Sequence, residues 1–273
     1  MSRKKTIITV YSAKGGVGKT TTSINLSAAL AECGKKVLII DGDFQGNVTF
    51  CMGLDPRDEK TPALPQLLMN QINNPNSIKD NLDTYIHYIE KENFYIIPTN
   101  PRVTHEEFRR IIADPINRYC LRDFLNDLDF DFVIIDTPAV LDSFLNLALV
   151  ASDSVIVTVI PEFLSYDSLE STFGIIKAIR QQYNPKLNIV GILLNKFNSS
   201  NRSSQLQEMM QDYADDENIF IFNTMIPQRN AIHDIFVEKE SIFRKRSNAK
   251  ELYLSLASEV ITLSEKKIRQ EEE

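Results

Sequence analysis

The chain is poor in the residues that build covalent or metal-held frameworks. Its three cysteines, Cys33, Cys51 and Cys120, are an odd number at unrelated spacings with no C-x-x-C pair, which argues against a disulfide frame, a zinc site or an iron–sulfur cluster. The three histidines, His87, His105 and His233, are as scattered and read as surface or boundary residues. No stretch approaches the roughly 18 to 20 continuous apolar residues of a membrane span. Residues 1–5 run straight into a strand without the apolar core of a leader peptide, so a cytoplasmic protein is expected. No Pro/Gly/Ser-rich linker divides the 273 residues, of which 43% are hydrophobic, so a single domain over residues 1–273 is expected. With a formal net charge of −7, any nucleic-acid binding must come from a local patch.

What the chain does have is alternation. Short apolar, β-branched runs at 6–11, 37–40, 94–97, 132–135, 154–159, 188–194 and 219–224 read as strands, several of them apolar on both faces as buried parallel strands are. Between them, helical spacing recurs at 20–33, 105–113, 117–128, 143–150, 165–183, 204–215 and 249–267. The pattern predicts an α/β fold: a doubly wound, mostly parallel sheet with helices on both faces and ligands at the carboxyl ends of the strands. Residues 55–93, rich in Asn, Asp and Pro, read as a surface insertion with one short helix near 64–71, and the charged tail 264–273 is expected to fray.

The most specific signal lies between the first strand and the first helix: Lys14-Gly15-Gly16-Val17-Gly18-Lys19-Thr20-Thr21. Glycines let the backbone curl around an anion, so that successive N–H groups and the helix N-terminus point at phosphates. In a P-loop the lysine, here Lys19, neutralises the outer phosphates and the hydroxyl, here Thr20, ligates Mg²⁺. Ala13 stands where the strict G-x-x-x-x-G-K-[ST] pattern has its first glycine. Two acidic strand ends accompany the loop. Asp41-Gly42-Asp43 follows the second strand, and two carboxylates one residue apart there can share a cleft, one anchoring the Mg²⁺ shell and the other orienting water. The buried run Phe132-Val133-Ile134-Ile135 ends in Asp136, the form of a Walker B segment, and Asp136 is expected to hold Mg²⁺ through a water.

The second lysine, Lys14, resembles the deviant Walker A motif of the ParA/MinD family of ATPases. The resemblance extends through Asp41 to Asn47, similar to the family's D-x-D-P-Q-G-N segment with Phe44 in place of proline, through Asp136-Thr137-Pro138-Ala139, and through residues 152–162. It implies an ATP-bound sandwich dimer in which Lys14 reaches the partner's nucleotide, and Asp43 as the residue that positions the hydrolytic water. Asn195 and Ile226-Pro227 stand where relatives contact adenine; as residues alone they read equally as a cap and a turn.

Branches of the family differ in what the ATP-bound dimer adheres to. The chain ends in three glutamates instead of the basic amphipathic helix of a MinD-like protein, so no membrane partner is expected. Resemblance to the small ParA class, like the chromosomal Soj proteins, implies nonspecific DNA binding, a ParB-type partner that stimulates slow hydrolysis, and no N-terminal helix-turn-helix. Arg202 and Arg229 lie near the positions of DNA-contacting arginines in relatives. Arg244-Lys245-Arg246 is the basic cluster of this region, either a phosphate-tracking patch or a solvated face. A MinD-like positioning ATPase and an ATP-dependent amidotransferase or ligase are the alternative functions.

Overall fold

The strands at the centre of the sheet are buried on both faces, which is why they read as near-continuous apolar runs in the sequence. The computed structural model describes residues 5–58, 60–75, 78, 81–102, 106–162, 165–197, 201–229 and 235–272. Among them the strands are β1 (Thr6–Tyr11), β2 (Val37–Asp41), β3 (His87–Ile89), β4 (Phe94–Ile97), β5 (Phe132–Asp136), β6 (Ser154–Val159), β7 (Asn188–Phe197) and β8 (Ile226–Pro227). They form one sheet in the order β3-β4-β2-β5-β1-β6-β7-β8, parallel throughout except for the antiparallel edge pair β3–β4.

The helices are α1 (Lys19–Glu32), α2 (Asn47–Cys51), α3 (Leu64–Asn73), α4 (Leu82–Tyr85), α5 (Glu106–Ala113), α6 (Cys120–Asn126), α7 (Ser143–Ala151), α8 (Ser165–Gln182), α9 (Asn201–Asp216), α10 (Ile235–Glu238) and α11 (Ala249–Glu272). On one face α1 and α11 pack Ile24, Leu26, Leu30, Tyr253, Leu256 and Val260 against Ile8, Val10, Ile39 and Ile134 of the sheet. On the other, α3, α6 and α7 cover Leu38, Ile40, Val133 and Ile135, and α8 covers Val155 and Val157. Residues i and i+1 of each strand thus serve opposite layers, while i and i+2 share one.

Four sequence expectations are corrected. Residues 219–224 form no strand beyond an isolated bridge of Ile221 to Ile192. The N–H groups of Asn223 and Thr224 go instead to the Glu259 carboxylate, and the ladder resumes only at β8. The antiparallel β3 has no counterpart in the expectation, being a three-residue edge element closed by Asn93 in a left-handed conformation (φ 57°). The insertion is not a solvated surface loop: Leu64, Leu67, Leu68, Ile78 and Tyr85 are buried in the core against α6. At the tail, α11 is helical to Glu272, and Lys267 Nζ donates to the carbonyls of Asp153 (2.6 Å) and Lys186 (3.1 Å), tying the last turns to the sheet.

Candidate nucleotide site

The loop between β1 and α1 gathers its anion-binding geometry from two glycines in the left-handed region, Gly16 (φ 73°) and Gly18 (φ 90°). Gly18 is also where a side chain would not fit: a Cβ there would lie 3.0 Å from Asn195 Nδ2, because the end of β7 presses against the loop. No side chain caps α1, so its first N–H groups face the loop mouth, where a phosphate is favoured by both donors and helix dipole. Val17 is buried beneath the loop, while Gly15 and Gly16 are exposed.

Lys19 is buried, and its Nζ donates to the Lys14 carbonyl at 3.2 Å. Burial pushes its pKa below the ordinary lysine value, opposed by Asp136 and Asp43. One helical turn onward, two hydroxyls converge on the end of β5. Thr20 Oγ1 donates to Asp136 Oδ2 and Ser23 Oγ to Asp136 Oδ1, both at 2.8 Å. Burial raises the Asp136 carboxyl to about 6 in spite of these bonds. A hard cation would relieve that cost, since a carboxylate and a hydroxyl within hydrogen-bond reach are the donor set magnesium takes beside phosphate oxygens. Ser23 was missed in the sequence, though its spacing from Thr20 shows it: i and i+3 share a helix face.

The two aspartates after β2 part company. Asp41 does not open into the cleft: it is fully buried and accepts from Thr49 N (2.8 Å) and Thr49 Oγ1 (2.6 Å) of α2. Burial drives its pKa well above the usual carboxylate range. Asp43 lies half-exposed in the loop beyond, its Oδ1 accepting from Gln45 N at 3.0 Å. Gly42 separates them because a Cβ there would sit 2.0 Å from the Phe144 ring and 2.5 Å from the Asp136 carbonyl. Phe44, which stands where proline was expected, anchors the loop by its ring, edge-on to Phe108 (5.6 Å) and Phe144 (5.7 Å).

Lys14 is partly exposed at the start of the loop, with Nζ 2.9 Å from Glu162 Oε2. A third lysine, unmarked in the sequence reading, completes the surround. Lys196, itself left-handed (φ 52°), donates to the Gly16 carbonyl at 2.8 Å.

Beside the loop, Gly18, Thr21, Asn195, Ile226, Pro227 and Tyr253 border a small cleft of about 30 Å³, open to solvent, whose rim includes Arg229. Asn195 Nδ2 is fixed by the Val17 carbonyl (2.9 Å) and Thr22 Oγ1 (3.1 Å), whereas its buried Oδ1 has no partner. An orphaned acceptor at the wall of an apolar slot fits an exocyclic amine such as that of adenine. Arg202 lies in the first turn of α9, its side chain outside those described. The basic run near 245 is more constrained than expected: Arg244 contacts Glu32 (2.5 Å) and Glu92 (3.4 Å), and Lys245 contacts Glu238 (2.8 Å), which leaves Arg246 as an exposed charge.

The AAA domain family model matches residues 5–189, more than half the chain. The chromosome partitioning protein ParA of Myxococcus xanthus (strain DK1622) is 31% identical over 261 residues, covering 93% of this chain and 87% of that protein. The chain belongs to the ParA/MinD family. Among solved structures it is similar to the septum site-determining protein MinD of Pyrococcus horikoshii OT3 complexed with Mg-ADP (28% identity, TM-score 0.73, 97% of this chain and 99% of that one). It is also similar to cobyrinic acid a,c-diamide synthase of Mycobacterium smegmatis with ADP and magnesium (27% identity, TM-score 0.75, 93% of each chain). The chain therefore has the ParA/MinD fold and is a nucleotide-hydrolysing P-loop ATPase of the partition or positioning kind.

Proposed function

We propose that this ATPase is a partition switch: the ATP-bound chain forms a sandwich dimer that binds DNA without sequence preference, and slow hydrolysis releases it. The observation that carries the reading is the division of labour between two lysines. Lys19 is buried within the loop, whereas Lys14, at the loop's start, is partly exposed and paired with the exposed Glu162. A positive charge so placed is available to a second subunit's nucleotide.

In this reading the loop N–H groups and Lys19 grip the triphosphate, Thr20 and Asp136 hold the magnesium shell, and Asp43 orients the attacking water. Magnesium supplies charge to the phosphate oxygens as the leaving group departs. Asn195 and Pro227 border the base. Nonspecific DNA meets the exposed basic side chains, with Arg229 and Arg246 contributing and Arg202 at the start of α9 a further candidate. Arg244 and Lys245 contribute less, because their charges are matched by Glu32, Glu92 and Glu238. A ParB-type protein is the expected stimulator, and a plasmid or chromosomal origin the expected cargo.

The apolar face of α11 is packed on α1 and the sheet, which disfavours a membrane-lying role for it. No helix among the described residues is long and apolar enough to cross a membrane. The test is binding to a random-sequence DNA duplex at low and moderate salt with ADP, ATP or a slowly hydrolysed ATP analogue, beside anionic liposomes. ATP-selective, salt-sensitive DNA binding is expected. Liposome binding instead places the protein with the positioning ATPases, and binding to neither surface favours an ATP-dependent synthase like the mycobacterial relative.

A further inference from the structure

The segment that borders the base cavity lacks a strand's usual support. Residues 219–224 leave the sheet after one bridge, and β8 has only two residues, one of them a proline with no N–H to give. Yet Ile226 and Pro227 line the cleft together with Asn195. What holds that lining comes from the far end of the sequence. Glu259, half-buried on α11, accepts through Oε2 from Asn223 N (2.8 Å) and Asn223 Nδ2 (3.2 Å), and through Oε1 from Thr224 N (2.9 Å) and Thr224 Oγ1 (2.6 Å). Phe220 and Phe222 keep two backbone bonds to Ile192, and beyond them four donors on one carboxylate take over at Asn223 and Thr224. The same helix carries Tyr253, fully buried on the floor of the cavity, so one rigid element sets both surfaces of the slot.

We propose that Glu259 is the positioning residue of the base pocket: it fixes the Asn223–Thr224 turn, and through it Ile226 and Pro227, at the spacing a planar base requires. This rests on the reading of Asn195 and Pro227 as base neighbours. Hydrogen bonds to a charged acceptor are the stronger kind, and a carboxylate engaged by two backbone N–H groups at once defines their separation as well as their direction. Shortening the side chain by one methylene withdraws it from both. Glutamine keeps one acceptor but turns an amine toward donors.

The experiment uses the full chain and compares equilibrium affinity for ATP with that for inorganic tripolyphosphate, which engages the P-loop and lacks a base. Glu259→Ala and Glu259→Asp are expected to weaken ATP by about tenfold, the loss of roughly one to two charge-assisted hydrogen bonds' worth of ordering. Tripolyphosphate affinity is expected to stay within about twofold of wild type, a difference of well under 1 kcal/mol. Glu259→Gln and Thr224→Val, which keep the fold's packing, are expected to fall between. Unchanged ATP affinity in all four variants overturns the proposal. So does a parallel loss of ATP and tripolyphosphate, which marks a general loosening of the domain. A wild-type protein that binds ATP no more tightly than tripolyphosphate refutes the base-pocket reading itself, and that result is read before any variant is made.

Discussion

Lys19 carries a positive charge into a buried position where, among the described residues, its hydrogen-bond partner is a carbonyl, an arrangement that costs stability until an anion arrives. Lys19→Ala is therefore expected to abolish measurable ATP binding while leaving the fold intact, as followed by calorimetric titration and circular dichroism. Asp43→Ala, half-exposed and bonded only within its own loop, is expected to keep nucleotide affinity and lose turnover in a phosphate-release assay. Asp136 makes a different claim. Its folded pKa of about 6 lies above the 3.8 of an unperturbed carboxyl, so the folded state holds the proton more tightly than the unfolded one. That contribution to stability is full below about pH 4 and is lost as pH rises through about 6. Without nucleotide and Mg²⁺, Asp136→Asn is expected to be more stable than wild type at neutral pH by up to about 3 kcal/mol, and to lose most of the pH dependence in that window. Asp41, raised in the same direction, leaves a residual slope. Urea titrations at a series of pH values decide it, and a variant less stable than wild type at neutral pH would contradict the assignment.

At the scale of elements, the basic run at 244–246 shows how a sequence cluster divides once it is folded. Glu92 is fully buried, accepts from Ser241 N (2.8 Å) and Ser241 Oγ (2.5 Å) and forms an ion pair with Arg244 Nε (3.4 Å), which pins the segment before α11 to the turn between β3 and β4. Arg244→Ala is expected to lower stability by about 2 kcal/mol, because it uncovers a buried carboxylate. Arg246→Ala is expected to leave stability unchanged and to reduce the salt dependence of DNA binding by about one unit of slope. Thermal melts and salt-dependent binding isotherms separate the two. The same scale explains what was legible. β1, β2, β4, β5 and β6 were plain because burial on both faces leaves a continuous apolar run, and the P-loop because its chemistry demands a fixed order of residue types. Residues 219–224 start equally apolar, but the N–H groups of Asn223 and Thr224 go to a glutamate on α11, and no local pattern announces a side chain arriving from 35 residues onward. Residue type and spacing alone do not tell Asp41 from Asp43, and the family resemblance singles out Asp43; the packing of α2 explains why Asp41 turns to the interior, where it accepts from Thr49.

At the scale of the whole molecule, the nucleotide site is assembled from the ends of β1, β2, β5 and β7 together with the C-terminal helix, so ligand binding ties together segments far apart in the chain. ATP with Mg²⁺ is expected to raise the melting temperature in a concentration-dependent way, equivalent to about 2.7 kcal/mol at a hundredfold excess over Kd. The Lys19→Ala variant is expected to show no such rise in scanning calorimetry.

The two outer strands of the sheet have a consequence of their own. β3 has three residues and β8 has two, one of which is Pro227. Neither border offers a long row of unused N–H and C=O groups to template a further strand. Pairing of copies through either of these borders would engage only two or three strand residues a side, too few to template a continuous cross-β ribbon.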